Sequence, residues 1–201
     1  MEKDLGVEVI RENYAKLVNT YGDDFKSCQY GNKESQKIRF DEITKIADLN
    51  GKKVLDIGCG LGDLYAYFLE NKVNVNYTGI DIVPEMIALA KGKYSEAEFK
   101  VANILEETLD DQYDIVLLNG VFNNNFGDTD RFIEQMLSNA FKYAKEGMGF
   151  NFISTYVNFK EDAMAYHNPS TILNYCIENL SRKVNINHHY AKCDVSVFVY
   201  K

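Results

Sequence analysis

Apolar side chains near the start of the chain return every third or fourth residue: Val9, Ile10, Tyr14, Leu17, Val18 and Tyr21 share one helical face. The spacing predicts an amphipathic helix over 7–20, ended by Tyr21-Gly22-Asp23-Asp24. Residues 23–33 are polar and read as loop. A second helix is expected over 34–49, with Ile38, Ile43, Ile46 and Ala47 facing inward and Asn50-Gly51 stopping it. The period then changes. Lys53-Val54-Leu55-Asp56-Ile57 reads as a short buried strand, followed by helix over 64–70, strand over 75–80, and helix over 84–91 with Pro84 at an early position. Strands are expected over 98–102 and 113–118. A long amphipathic helix over 128–144 carries Phe132, Ile133, Met136, Leu137, Ala140 and Phe141. Strand 149–154 and helix 171–179 come next. The alternating runs 184–189 and 195–200, separated by a short turn, read as an antiparallel hairpin.

Strands alternating with helices predict an α/β fold: a doubly wound, mostly parallel sheet with helices on both faces. Ligands in such sheets bind beyond the carboxyl ends of the strands, so functional residues are expected just after each strand. With 201 residues, 46% of them hydrophobic, and no linker or repeat, the chain reads as one domain over 1–201. Within it, 1–50 reads as a helical cap and 51–201 as the core.

Charge narrows the partners. The net charge is −8 and no Lys/Arg cluster stands out, which disfavours nucleic acid. The opening Met1-Glu2-Lys3-Asp4 is not followed by an apolar run, and no apolar stretch reaches membrane-spanning length. Cys28, Cys59, Cys176 and Cys193 are scattered, without a Cys-x-x-Cys pair, so neither zinc nor a disulfide framework is expected and a reducing cytoplasm fits.

The chemistry concentrates after the strands. Val54-Leu55-Asp56-Ile57-Gly58-Cys59-Gly60-Leu61-Gly62-Asp63 leaves a strand and opens a helix, with glycines that let a ligand approach the backbone. The dinucleotide pattern G-x-G-x-x-G fails because Asp63 stands at its last position. The spacing Asp-x-Gly-x-Gly-x-Gly instead resembles motif I of class I S-adenosylmethionine-dependent methyltransferases, and the element order is that of their seven-stranded sheet. The resemblance covers about 50–155 and, in topology only, the last hairpin.

That resemblance implies S-adenosyl-L-methionine as cofactor, held by Asp56, Gly58, Cys59 and Gly60. It implies that Asp81, ending the next strand 21 residues after Gly60, binds the ribose; capping the helix at Pro84 is the alternative. Ile82 and Met86 would pack on adenine. Asn103 stands where the family often has Asp and would meet the adenine amino group, with Ile104 supplying an amide; an Asn in a polar loop is the other reading. Asn119 and Gly120 would line the cofactor. Asn123 faces the acceptor or stabilises its loop.

Gly120-Val121-Phe122-Asn123 resembles a group of small bacterial methyltransferases loosely associated with surface-polysaccharide and other small-molecule gene clusters. No Asn-Pro-Pro-Tyr or Asp-Pro-Pro-Tyr run is present. In relatives the N-terminal region lids the cofactor, which makes Arg39 the candidate for the methionine carboxylate, with Tyr14, Tyr21 and Gln36 in reserve; a solvated helix face is the plain alternative for each. The 155–168 segment is long for a loop, and Tyr156 and His167 in it are candidates to cover the acceptor, His167 also as a base. A magnesium site from Asp114, Asn119 and Asp128 does not match in spacing, so no metal is expected. The expected function is methyl transfer to oxygen or nitrogen of a small metabolite, such as a sugar or phosphorylated glycan precursor. A protein or RNA acceptor, or a non-catalytic cofactor-binding module, are the alternatives.

Overall fold

The computed structural model describes residues 5–201. Seven strands form one sheet in the order β3-β2-β1-β4-β5-β7-β6. They are β1 (Lys53–Ile57), β2 (Asn76–Asp81), β3 (Glu98–Val101), β4 (Tyr113–Leu118), β5 (Ala144–Ile153), β6 (Val184–Asn187) and β7 (Asp194–Tyr200). Strands β1 to β5 pair in parallel, and β7 runs antiparallel to both β5 and β6. The final hairpin is thus present, but its second strand inserts between β5 and β6 instead of adding at the edge. The residues explain this choice: β7 is buried along nearly its whole length, whereas β6 is half-exposed. A strand apolar on both faces belongs inside a sheet.

Six α-helices connect and cover these strands: α1 (Val7–Tyr21), α2 (Lys33–Ile43), α3 (Asp63–Glu70), α4 (Pro84–Lys93), α5 (Thr129–Tyr143) and α6 (Pro169–Asn179). On one face, α5 and α6 bury Ile133, Leu137 and Ile172 against Leu55, Val116, Phe150 and Val197. On the other, Phe40 and Ile43 of α2 join Leu64 and Phe68 of α3 and Ile87 of α4 over Val54, Ile115 and Leu117. No helix among the described residues is long and apolar enough to cross a membrane.

Several boundaries differ from the periodicity. The 23–33 stretch contains a 3₁₀ turn, Phe25–Cys28, because Asp24 caps it by accepting from the Lys26 amide at 2.9 Å. Helix α2 ends at Ile43 and passes into a second 3₁₀ turn, Thr44–Ile46, so Ile43 and Ile46 are buried while Ile38 stays exposed. Strand β5 begins at Ala144, five residues before the expected 149, since α5 runs into it without a loop and Ala144 pairs with Tyr113. Along α1 only Val18 is buried, and Val9 is exposed. The apolar stripe of α1 meets the rim of a cleft rather than the sheet, with Val18 packed on Leu61, Val83 and Met86.

One buried ion pair joins the N-terminal helices to the far end of the chain. Arg39 of α2 donates from Nε and Nη2 to the two carboxylate oxygens of Asp194 at the start of β7, at 2.8 and 3.0 Å. Removing one partner of such a pair strands a charge away from water, at a cost of several kcal/mol. Asp194→Ala is expected to lower stability by about 3 kcal/mol in urea unfolding. Breaking the exposed pair of Lys37 and Asp41 with Lys37→Ala should change stability by under about 0.5 kcal/mol.

Candidate active site

Strand β1 delivers the chain into the turn Gly58–Gly62 at the carboxyl end of the sheet. The amides of Gly58 and Cys59 both donate to the Ile80 carbonyl, at 2.8 and 3.0 Å, which pins the turn to β2. Gly58 and Gly60 hold φ of +76° and +52°. A methyl group on Gly58 would lie 2.7 Å from the Val121 side chain, and one on Gly60 would lie 3.0 Å from Cys28 Sγ. The loop after β4 and the 3₁₀ turn therefore press on the glycine turn from two sides, and larger residues do not fit.

Asp81 ends β2 beneath this turn. Its Oδ2 accepts from the Gly60 amide and its Oδ1 from the Val83 amide, both at 2.9 Å. One carboxylate thus fixes the glycine turn and the entry to α4 together. Burial raises its pKa, and the amide bonds oppose that shift. The Ile82 amide also bears on it, and a carboxylate offers about four acceptor sites, so acceptor capacity remains for a further donor. Asp56, one strand away, is buried and accepts from the Tyr77 hydroxyl at 2.6 Å. Burial pushes its pKa up to about 7, with the charges of Asp81 and Asp63 adding to the shift. Asp63, at the start of α3, accepts from Gln36 Nε2 at 2.8 Å.

The ends of β3 and β4 complete the floor. Asn103 Oδ1 accepts from the Leu105 amide at 3.1 Å and so holds its own turn, while Ile104 is buried beside it. At the end of β4, Asn119 Nδ2 donates to the Tyr30 hydroxyl at 2.6 Å. Asn119 Oδ1 accepts from Asn151 Nδ2, and Asn151 Oδ1 accepts from the Gly120 amide at 2.7 Å. Asn123 follows, and its Oδ1 is buried without a hydrogen-bond partner.

These groups surround one cavity of about 260 Å³. Its walls include Asp56, Gly58, Cys59, Gly60, Asp81, Ile82, Met86, Asn103, Ile104, Asn119, Gly120 and Asn123. Tyr14, Gln36 and Arg39 reach it from the N-terminal helices, but Arg39 is already committed to Asp194. Tyr21, Tyr156 and His167 stand outside its walls. Tyr21, the last residue of α1, and Tyr156, just beyond β5, are both exposed. His167 is buried beneath the floor, with Nε2 3.2 Å from the Phe122 carbonyl and its ring edge-on to Phe152. Burial lowers its pKa, and the Phe122 carbonyl and Asp130 oppose that shift. From the 155–168 segment only Met164 reaches the cavity wall.

Tyr30, Asp63 and Asn151 join the site without having been expected there. Tyr30 sits in the stretch read as loop and carries no periodic signal. Asn151 did leave a trace, a lone amide between Phe150 and Phe152 in an otherwise apolar strand, where a polar group needs a partner.

A glycine cradle at the carboxyl ends of a doubly wound sheet, with an acid ending the adjacent strand, defines a nucleoside-cofactor site. Three carboxylates and one neutralised guanidinium face the cavity. That set fits a cationic cofactor and not a pyrophosphate. A family described as "Methyltransferase domain" matches residues 48–192, and the chain belongs to it. It is a class I S-adenosylmethionine-dependent methyltransferase.

Known relatives agree. A Mycobacterium tuberculosis protein named as a methyltransferase is 27% identical over 152 residues, covering 73% of this chain and 91% of its own length. A malonyl-[acyl-carrier protein] O-methyltransferase of Acetivibrio thermocellus is 35% identical over 101 residues, but the match spans only 47% of this chain and 36% of that enzyme. In fold, the chain is similar to magnesium protoporphyrin IX methyltransferase from Synechocystis with bound S-adenosylhomocysteine. That likeness has a TM-score of 0.72 at 16% identity and covers 96% and 99% of the two chains. N-methyltransferase NodS from Bradyrhizobium japonicum gives a TM-score of 0.67 at 14% identity over 98% and 99%.

The Asp56 carboxyl sets a pH expectation. Its pKa is about 7 when folded and its ordinary value is 3.8, so the native state holds the extra proton between those values. Stability from this group is therefore full below the ordinary value and lost as pH rises through about 7. Asp56→Asn is expected to raise the melting temperature of the ligand-free protein most at about pH 8 and by a clearly smaller amount at about pH 5. Scanning calorimetry at both values tests this.

Proposed function

We propose that the cavity binds S-adenosyl-L-methionine across the carboxyl ends of β1 to β4, for methyl transfer to oxygen or nitrogen of a small metabolite. The observation that carries this reading is the Asp81 carboxylate, joined to the Gly60 amide and still holding free acceptor sites. Its role is to accept from the ribose hydroxyls. Asp56, Asp63 and Gln36 make the end suited to an ammonium group. Ile82, Met86 and Ile104 form the apolar slot for adenine, and Asn103 lies at its edge. Asn119, Gly120 and Asn123 lie towards the acceptor. When bound, the cofactor supplies an electrophilic methyl on a sulfonium sulfur. The chain's own part is to position the nucleophile in line and keep water out, so no strong base has to face the cavity.

The solved methyltransferases with S-adenosylhomocysteine or S-adenosylmethionine bound support the cofactor. Enclosure by α1 and α2 supports a small acceptor over a protein or RNA. The narrower reading, a sugar or phosphorylated precursor of a surface glycan, rests on the Gly120-Val121-Phe122-Asn123 run alone, and for a phosphate the described cavity wall offers only Arg39, which is already paired with Asp194. The use of S-adenosylmethionine and the unpaired cysteines support a cytoplasmic location. The chain reads as a single domain over 1–201, of which residues 1–4 lie outside the described residues. Segment 1–50 acts as its lid, latched by Gln36 to Asp63, Tyr30 to Asn119 and Asn124 to Tyr14.

Calorimetry is expected to give binding of S-adenosylmethionine and S-adenosylhomocysteine and none of NAD; the reverse pattern would sink the reading. Asp81→Ala should weaken cofactor affinity by about 1.5–3 kcal/mol, since it removes charge-assisted hydrogen bonds. Deleting residues 1–30 should weaken cofactor binding and abolish transfer while circular dichroism still reports the sheet. Normal affinity in that truncation would make the helices a structural cover only.

A further inference from the structure

The proposed cofactor takes the part of the cavity at the ends of β1 to β3 and reaches the near edge of β4. The other half lies over the ends of β4 and β5, and its walls are built differently. Ile153 ends β5 there. Met164 joins the loop after β4 through a bridge to Asn124, and the Ala165 amide donates to the Asn123 carbonyl at 3.0 Å. Tyr14 is held over the same loop by Asn124 Nδ2 at 2.7 Å, and Tyr30 by Asn119. A methyl group on Gly120 would lie 3.4 Å from the Tyr30 hydroxyl and 3.8 Å from Asn123 Nδ2, so both side chains converge on the one point left open by that glycine.

Two features of this half constrain its ligand. Its polar groups carry no charge, and the guanidinium nearest to it, Arg39, lies 5.7 Å from the Tyr30 ring with both its ion-pair bonds made to Asp194. Among the described residues Arg39 is the basic side chain in the cavity wall, and it is already paired with Asp194, so an anionic acceptor would meet Asp56, Asp63 and Asp81 with no free basic side chain of its own. In addition, Asn123 Oδ1 is buried and unpartnered. An orphaned carbonyl oxygen costs about 1–3 kcal/mol unless a ligand hydrogen reaches it. The Tyr30 oxygen accepts from Asn119 and so keeps its own hydrogen to donate.

We infer that this half is the acceptor subsite and that it takes an uncharged molecule with an apolar body and one O–H or N–H, whose hydrogen is accepted by Asn123 Oδ1. The inference rests on the cofactor reading above. Held this way, the acceptor's lone pair points away from Asn123. With the cofactor bound, that lone pair would form the new bond to the methyl carbon as the carbon–sulfur bond pair returned to sulfur, and the methylated acceptor would release its hydrogen as a proton to bulk solvent when the site opens. A neutral amide cannot take the proton, so Asn123 is an acceptor-binding residue that orients without acting as base.

The test uses the full chain saturated with S-adenosylhomocysteine, whose own dissociation constant is measured first by calorimetry; failure at that stage counts against the cofactor reading alone. Binding of phenol, aniline, toluene and phenyl phosphate is then followed by ligand-observed NMR at millimolar concentration. Phenol or aniline should bind about fivefold tighter than toluene, the scale of one hydrogen bond. Phenyl phosphate should bind more weakly than either. Asn123→Leu should erase the gap between phenol and toluene while the S-adenosylhomocysteine constant is unchanged. Asn123→Asp, closer in shape, should shift preference towards protonated benzylamine. Phenyl phosphate binding as well as phenol, no binding of any uncharged probe, or a phenol–toluene gap that survives Asn123→Leu would overturn the inference.

Discussion

The carboxyl group of Asp81 has to be buried and hydrogen-bonded at once, and much of the site follows from how that is met. Its two oxygens take the amides of Gly60 and Val83. The first bond sets the height of the glycine turn above the sheet, and the second starts α4. The turn in turn depends on β2, because the Gly58 and Cys59 amides end on the Ile80 carbonyl. Two neighbouring parallel strands and the helices that follow them are thereby locked around one carboxyl group. A buried carboxylate is costly without such donors, and here the donors are backbone groups that would otherwise be unpaired at the strand ends.

Charge is handled unevenly across the cavity. At β1 and β2 three aspartates converge, and the burial of Asp56 holds its pKa near 7. That arrangement stores an electrostatic cost that a cation relieves on entering. Across β4 and β5 the polar groups are amides and phenols, linked from Tyr30 through Asn119 and Asn151 to the Gly120 amide. The contrast divides one cavity into an end suited to a cation and an end suited to an uncharged partner. The N-terminal helices touch both ends, through Gln36 on Asp63 and Tyr14 on Asn124. Those two contacts are hydrogen bonds, whereas Arg39 and Asp194 tie the same helices to β7 by an ion pair.

The amino-acid order alone determined the alternation of strands and helices, the glycine turn after β1, and the acids at positions 56 and 81. These are local signals. A buried strand, a turn that needs left-handed backbone at Gly58 and Gly60, and a strand-ending acid each leave a mark within a few residues. The family resemblance rests on the same short segment and is upheld. The tertiary structure alone decided where the aromatic and basic side chains went. Arg39 was open to a cofactor carboxylate by sequence, and 155 positions further on Asp194 claims it. His167 looked available as a base, but the loop that carries it runs under the floor and leaves it facing the Phe122 carbonyl. Tyr30 carried no pattern and ends in the cavity because the 3₁₀ turn before it packs on the glycine turn. Pairings over such separations depend on which surfaces meet when the helices dock, and that free energy belongs to the packed whole and not to any window of the chain.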